Sequence, residues 1–433
     1  MTQPPTAYEL LKRDSRLLRG AIAQELADLS FGDVSEDTAK LLAFHGVHQT
    51  YNRDTAAARA KVGMDKEYDF TVRLKCPAGR MTAVQYLVLD TYAETYANGT
   101  FRLTPQQTIE FHGVKKASLK ALVAELNHVL FSTLGAGGDV VNHITTCPAP
   151  IKDDVHYKLE DDAFLLAKHC TPKTKAYYEI WLDGDKIDEY PFNAELDIGE
   201  PLYGATYLPQ GFAIAIARPE DNCIHALTHD LAILPLFEEN ECKGYNFALG
   251  GGMDATPKIA TPLVYVPSGL LIPAVEAVIK LYRDYGNRQE QGGTSFAELI
   301  AARGENWAKE TLEAMLGTAL DAPRVMREFA VCDHLGWCEQ GDGKWYLGLP
   351  VPCGRIVDSE HERLRTGLRA VVMEYHMNLV LTADQNILLT DIEESERFYI
   401  GEKLRRFGIR LKEELSPVFR NAVVDAGLPT SPW

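Results

Sequence analysis

Two stretches of this chain repeat each other, far apart and in the same order. VRLKCPAGRM (72–81) matches LGLPVPCGRI (347–356), each reading as a strand, a Pro-x-Gly-Arg turn and the start of a helix. FRLTPQQTIEF (101–111) matches LVLTADQNILL (379–389), each a strand-turn-strand followed by another helix. A duplicated unit that brackets a stretch of different character predicts a pseudo-twofold molecule with a cleft between the copies. The remaining pattern alternates strands and helices, as in an α/β or α+β protein. Helices are predicted over 14–29, 36–44, 82–97, 117–132, 269–284 and 306–316, and strands over 70–76, 177–182, 212–217 and 245–250. The chain divides accordingly into an N-terminal helical segment (1–66), a first half-unit (67–135), a central α/β domain (136–330), a second half-unit (331–415) and a C-terminal remnant (416–433).

Composition narrows the partners. The 433 residues are 46% hydrophobic and 24% charged, enough apolar material for a sizeable core. Lys and Arg number 44 against 61 Asp and Glu, a net charge of −17. So acidic a surface argues against nucleic acid and anionic membrane. There is no run of about 18 apolar residues to span a bilayer. The opening MTQPPTAYELLKRDSRLLRG lacks the apolar stretch of a signal peptide, so a cytoplasmic location is expected. The eight cysteines are scattered, and only Cys332 and Cys338 lie close together in sequence. Ordinary buried thiols are expected, with no metal site.

Several blocks in order resemble the siroheme-dependent sulfite and nitrite reductases, from about residue 14 to about residue 420. They are LLRG (17–20), AFHGVHQTYNRD (43–54), GTFRLTPQQTIEFHGV (99–114), PKTKAYYEIWLDG (172–184), EPLYGATYLP (200–209), GYNFALGGGM (244–253) and RDYGNR (283–288). The resemblance implies two ferredoxin-like half-domains around a larger central α/β domain, with siroheme between domains beside a [4Fe–4S] cluster. A polycarboxylate tetrapyrrole calls for buried arginines making charge-assisted hydrogen bonds. Arg73, Arg102 and Arg288 occupy family positions for such groups, with Gln107, Asn287 and the glycines Gly251 and Gly252 as further cofactor contacts. His112 is given no role.

The departures from the family fall on its chemistry. The family holds its cluster by Cys-x5-Cys and Cys-x3-Cys pairs, and a cubane needs thiolates. VVDAGLPTSPW (423–433) aligns with the first pair but carries Asp425 and Ser431, and no counterpart of the second pair follows. A [4Fe–4S] cluster is therefore not expected. At the anion site, Asn142 replaces the substrate arginine, His143 an asparagine, and Gly211 and Ala213 the two lysines. Only Lys75 stays basic. Each charge-assisted hydrogen bond is worth about 1.5–3 kcal/mol, so three lost cations remove several kcal/mol of anion binding. Gln106 and Val380 stand where the hairpins often carry arginine, and Asp384 replaces an asparagine.

Three functional readings follow. The chain is a degenerate paralogue, serving as a non-catalytic subunit or a tetrapyrrole- or anion-binding module. Or it is an enzyme of altered chemistry in the old cleft. Or it is a siroheme reductase completed by another polypeptide. In each case it is expected not to reduce sulfite by six electrons on its own, and a protein partner or second subunit fits the first and third.

Overall fold

The computed structural model describes residues 5–174, 181–182, 185–186, 200–253, 256–288 and 294–420. In it the repeat becomes an exchange of strands. The first copy's sheet runs Val47–Tyr51, Tyr68–Arg73, Ile109–Val114, Phe101–Leu103 and then Arg355–Ile356. The second runs Gly336–Glu339, Trp345–Leu349, Ile387–Ile392, Leu379–Leu381 and then Arg80–Met81. The last strand of each sheet comes from the other copy, pairing Arg355 with Arg102 and Arg80 with Val380.

The Pro-x-Gly turns make this exchange possible. Ala78 and Gly79 have φ of 54° and 68°, and Cys353 and Gly354 have 56° and 66°. Such left-handed pairs reverse the chain tightly, and glycine takes them without a Cβ clash. A Cβ on Gly79 would stand 2.6 Å from the Leu381 carbonyl oxygen, and one on Gly354 2.5 Å from that of Leu103. Each turn thus lies directly on the other copy's strand. The hairpin glutamines close the contact reciprocally. Gln107 Nε2 donates to Leu381 O at 3.1 Å and Gln385 Nε2 donates to Leu103 O at 3.2 Å. Behind the sheets one apolar core holds residues of both copies, among them Tyr86, Phe101 and Phe111 with Leu347, Leu368 and Leu389. Helices Ala83–Tyr96 and Leu364–Tyr375 are joined there by Asp90, which pairs with Arg365 at 2.6 Å and Arg369 at 2.7 Å.

The central sheet runs Thr261–Pro267, Glu241–Leu249, Leu231–Glu238, Phe212–Ile216 and Val141–Thr146. Its first three strands are antiparallel and its last two are added in parallel. FAIAI reads as a continuous apolar run because helices cover this sheet. Asp154–His169 and Leu271–Tyr285 contribute Leu159, Leu166, Val278 and Leu281 to that core. Of the strand predicted at 177–182, Trp181–Leu182 forms a small hairpin with Asp185–Lys186, and the rest lies outside the described residues. Among the described residues no helix is long and apolar enough to cross a membrane.

Two elements differ from the sequence pattern. The helix predicted over 14–29 is split into Ala7–Asp14 and Ile22–Ala27, because Arg16, Leu17 and Leu18 adopt positive φ. Tertiary contacts override helix propensity here. Leu18 is fully buried, its carbonyl meets His45 Nε2 at 3.2 Å, and its amide donates to Ser15 Oγ. The N-terminal segment is also not wholly helical, since Val47–Tyr51 extends the first half-unit's sheet.

Candidate functional site: a cleft with one unpaired cation

Where the first half-unit meets the central sheet, a cavity of about 30 Å³ is lined by Arg73, Lys75, Gln106, Thr108, Asn142 and His143, among others. Arg73 and Lys75 follow one another at the end of strand Tyr68–Arg73, while Asn142 and His143 open strand Val141–Thr146. The parallel pairing of His143 with Ala213 brings strand Phe212–Ile216 alongside.

The charges in this cleft are largely spoken for. Arg73 lies across the strand pair from Glu110, donating through Nε to Oε1 at 2.7 Å, with a second guanidinium nitrogen at 2.6 Å. Burial works to raise the Glu110 carboxyl, but Arg73 and His112 outweigh it and hold it well below the usual carboxylate range. His112 is a buried core histidine whose Nδ1 bonds Thr71 Oγ1 at 3.2 Å, while its Nε2 lies 3.3 Å from Glu110 without a hydrogen bond. Lys75 differs: among the described residues its ammonium has one hydrogen bond, to Val141 O at 3.5 Å, and no carboxylate partner. Burial lowers its pKa from 10.5 to about 8. His143 is held neutral by burial and by the neighbouring His229, Arg73 and Lys75, and its ring meets His229 edge-on at 5.6 Å. Burial likewise takes His229 down to about 4.

The substituted positions are packed, not merely emptied. With its amide turned to suit its surroundings, Asn142 donates toward Gly138 O at 2.9 Å and Gly137 O at 3.1 Å. A Cβ on Gly211 would fall 2.2 Å from the other terminal atom of that amide, its oxygen once turned. The two substitutions therefore fit one another. The Ala213 amide donates to Asp230 at 2.8 Å.

The remaining candidates do not line this cavity. Gln107 is fully buried; its amide donates to Thr146 O and Leu381 O and accepts from Thr146 N at 3.0 Å. Arg102 Nε faces Cys353 O at 3.4 Å. Arg288 donates to the carbonyls of Thr206, Tyr207 and Arg283 and lies 3.4 Å from Glu9. Asn287 O accepts from the Thr294 amide at 3.0 Å, and its own amide donates to Thr294 Oγ1 at 3.3 Å. Gly251 packs where a Cβ would be 2.4 Å from two carbonyl oxygens, and Gly252 pairs with Lys258. Asp384 pairs with His225 at 3.0 Å. Asp425 and Ser431 lie outside the described residues.

The reading of the cysteines as scattered, ordinary thiols is corrected. Cys147, Asp221, Cys223 and His334 are all buried, with their ligand-type atoms within 4.8 Å of one another. Cys332, exposed, contacts His334 of this group, and Cys338 contacts Tyr346 beside it, but neither is among its four converging ligand atoms.

A reciprocally strand-exchanged pair of half-domains flanking a mixed central sheet, with its cleft at their junction, defines a ferredoxin-like half-domain reductase scaffold. The description "Nitrite/Sulfite reductase ferredoxin-like half domain" matches residues 63–129 and 339–406, and "Nitrite and sulphite reductase 4Fe-4S domain" matches 162–320. The chain belongs to the siroheme-dependent sulfite/nitrite reductase family. It is 35% identical to the "Sulfite reductase (NADPH) hemoprotein beta-component" of Staphylococcus saprophyticus, over 98% of this chain and 74% of that protein. It is 36% identical to "Sulfite reductase (ferredoxin)" of Synechococcus elongatus, over 99% of this chain and 71% of that one. The structure of the Mycobacterium tuberculosis NirA protein superposes with a TM-score of 0.76 at 20% identity, over 97% of this chain and 72% of that one.

The family's cofactors can be tested against these residues. Ligand pockets typically enclose about 300–1,000 Å³, whereas this cleft has room for a small anion or a few waters. Arg73, Arg102 and Arg288 each have partners inside the protein. All eight cysteines are among the described residues, and the one ligand-type group found there offers two thiols.

Proposed function

We propose that this chain is a non-catalytic member of its family, a small-anion-binding module or subunit, and not a reductase complete in itself. The observation that carries this reading is the state of Lys75. Among the described residues it is the one cation of the cleft without a carboxylate partner, and it sits half-buried beside neutral Asn142 and His143. A buried ammonium of this kind is stabilised by an anion and costs stability without one. Gly211 and Ala213 supply no second cation, so binding is weak and proton delivery to a bound substrate is lacking.

Asp425 and Ser431, at the aligned positions of the first cysteine pair, support the absence of a [4Fe–4S] cluster in this chain. The beta-component in the names of relatives supports a partner subunit. A tetrapyrrole would require Arg102 and Arg288 to leave the carbonyls they now serve. The test is a titration of the purified chain with siroheme, its iron-free precursor, heme and sulfite, followed by absorption and calorimetry. The proposal expects sulfite to bind weakly and Lys75→Met to abolish that binding. Stoichiometric siroheme binding, tighter than about 100 µM (roughly −5.5 kcal/mol) and weakened about tenfold by Arg102→Ala or Arg288→Ala, would overturn it.

A further inference from the structure

The group of Cys147, Asp221, Cys223 and His334 lies away from the cleft, and nothing in the anion chemistry uses it. Cys147 follows strand Val141–Thr146, Asp221 and Cys223 lie in the loop after Phe212–Ile216, and His334 precedes strand Gly336–Glu339. The group therefore joins the central sheet to the second half-unit. Its members are 3–6% exposed, so bulk water does not satisfy them.

The arrangement has too many acceptors for its donors. Cys147 Sγ approaches His334 Nε2 at 3.7 Å, and Asp221 Oδ2 approaches the same nitrogen at 3.4 Å. One ring N–H cannot serve both, and Asp221 Oδ2 has no hydrogen-bond partner. A nucleophile–base–acid triad would place thiol and carboxylate on opposite ring nitrogens; here the other nitrogen, Nδ1, faces Tyr346 OH at 3.5 Å. Convergence of sulfur and oxygen on one nitrogen is instead the pattern of ligands around a common centre. Zinc bonds of about 2.3 Å to sulfur and about 2.0–2.1 Å to nitrogen and oxygen give tetrahedral edges of about 3.6 Å (S to N) and about 3.4 Å (N to O). The observed separations match both. The outer contacts also fit, since metal ligands are oriented by second partners. Asp221 Oδ1 is held by the amides of Cys223 at 3.0 Å and Cys332 at 3.3 Å, leaving Oδ2 aimed inward. His334 is held close to its neighbour strand because residue 348 is glycine, where a Cβ would be 2.0 Å from the His334 carbonyl oxygen.

We propose that Cys147, Cys223, His334 and Asp221 form a closed, tetrahedral, mononuclear zinc site that staples the central sheet to the second half-unit. Four protein ligands leave no open position, so its role is structural, not catalytic. Two thiols and one imidazole also favour zinc over magnesium or calcium, which prefer oxygen.

The test uses the full chain, purified under reducing conditions and loaded with Zn²⁺ or Co²⁺. Expected are one metal per chain by elemental analysis, and with Co²⁺ the ligand-field bands of a tetrahedral site plus thiolate-to-cobalt charge transfer. Cys147→Ser/Cys223→Ser should weaken metal binding at least about tenfold, while Cys353→Ser leaves it unchanged. Because the double variant can fail to fold, alkylation of the wild type is read alongside. Zn²⁺ should protect Cys147 and Cys223, and a chelator should release them. Absence of stoichiometric metal, equal retention by the double variant, bound iron with inorganic sulfide, or a Cys147–Cys223 disulfide in the reduced preparation would each overturn the proposal.

Discussion

Replacing Lys75 by methionine should stabilise this protein while removing its anion site. The ammonium is half-buried with one long hydrogen bond and no carboxylate, and burial brings its pKa from 10.5 to about 8. A displacement of that size corresponds to about 3 kcal/mol, which partial solvent contact reduces to about 2 kcal/mol. The sign follows from proton linkage. The folded pKa lies below the unfolded one, so between about pH 8 and 10.5 the unfolded chain binds more protons and stability rises with pH. The wild type therefore carries the full cost below about pH 8 and sheds more than half of it by about pH 9.5. Methionine keeps the length of the side chain without the charge. In calorimetric scans its Tm should exceed that of the wild type by about 2–4 °C near pH 7, with the advantage shrinking by about pH 9.5. A variant that is less stable at neutral pH, or a gain that does not change with pH, would refute the reasoning.

Other perturbations test the rest of the framework. Gln107→Leu strips partners from Thr146 N, Thr146 O and Leu381 O at once; denaturation should show a loss of at least about 3 kcal/mol, and a loss under about 1 kcal/mol would contradict the interlock. Gly211→Ala places a methyl 2.2 Å from the end of the Asn142 side-chain amide. It should cost about 1–3 kcal/mol alone and much less in an Asn142→Ala background. Strict additivity of the two would mean that the positions are not packed against each other.

The pseudo-twofold fold was legible because both copies keep the same strained turn. Pro77-Ala78-Gly79 and Pro352-Cys353-Gly354 advertise a left-handed reversal in any reading of the chain. What the pattern could not reveal is that each turn lies on the other copy's strand. That contact depends on backbone oxygens of Leu103 and Leu381, which carry no sequence signal. Lys75, Asn142 and His143, singled out in the sequence as one site, line one cavity in the structure. The arginines were harder. Arg73 looks like a carboxylate receiver until Glu110 is found opposite it across the strand pair. Arg288 is consumed by three carbonyls that sequence does not display. The Cys147–Asp221–Cys223–His334 group was invisible for a simpler reason. Its members come from three distant segments with no metal-ligand spacing, and only folding brings them together.

The central claim is that this scaffold, in whose cleft Lys75 alone among the described residues lacks a carboxylate partner, does not reduce sulfite unaided. The direct measurement is sulfide release by the isolated chain, with sulfite as substrate and reduced viologen as electron donor, alongside iron and labile-sulfide analysis of the same sample. The account predicts sulfide no higher than in a protein-free control, whether or not siroheme is supplied. Turnover above that control, abolished by Lys75→Met and accompanied by cluster iron in the purified chain, would contradict it.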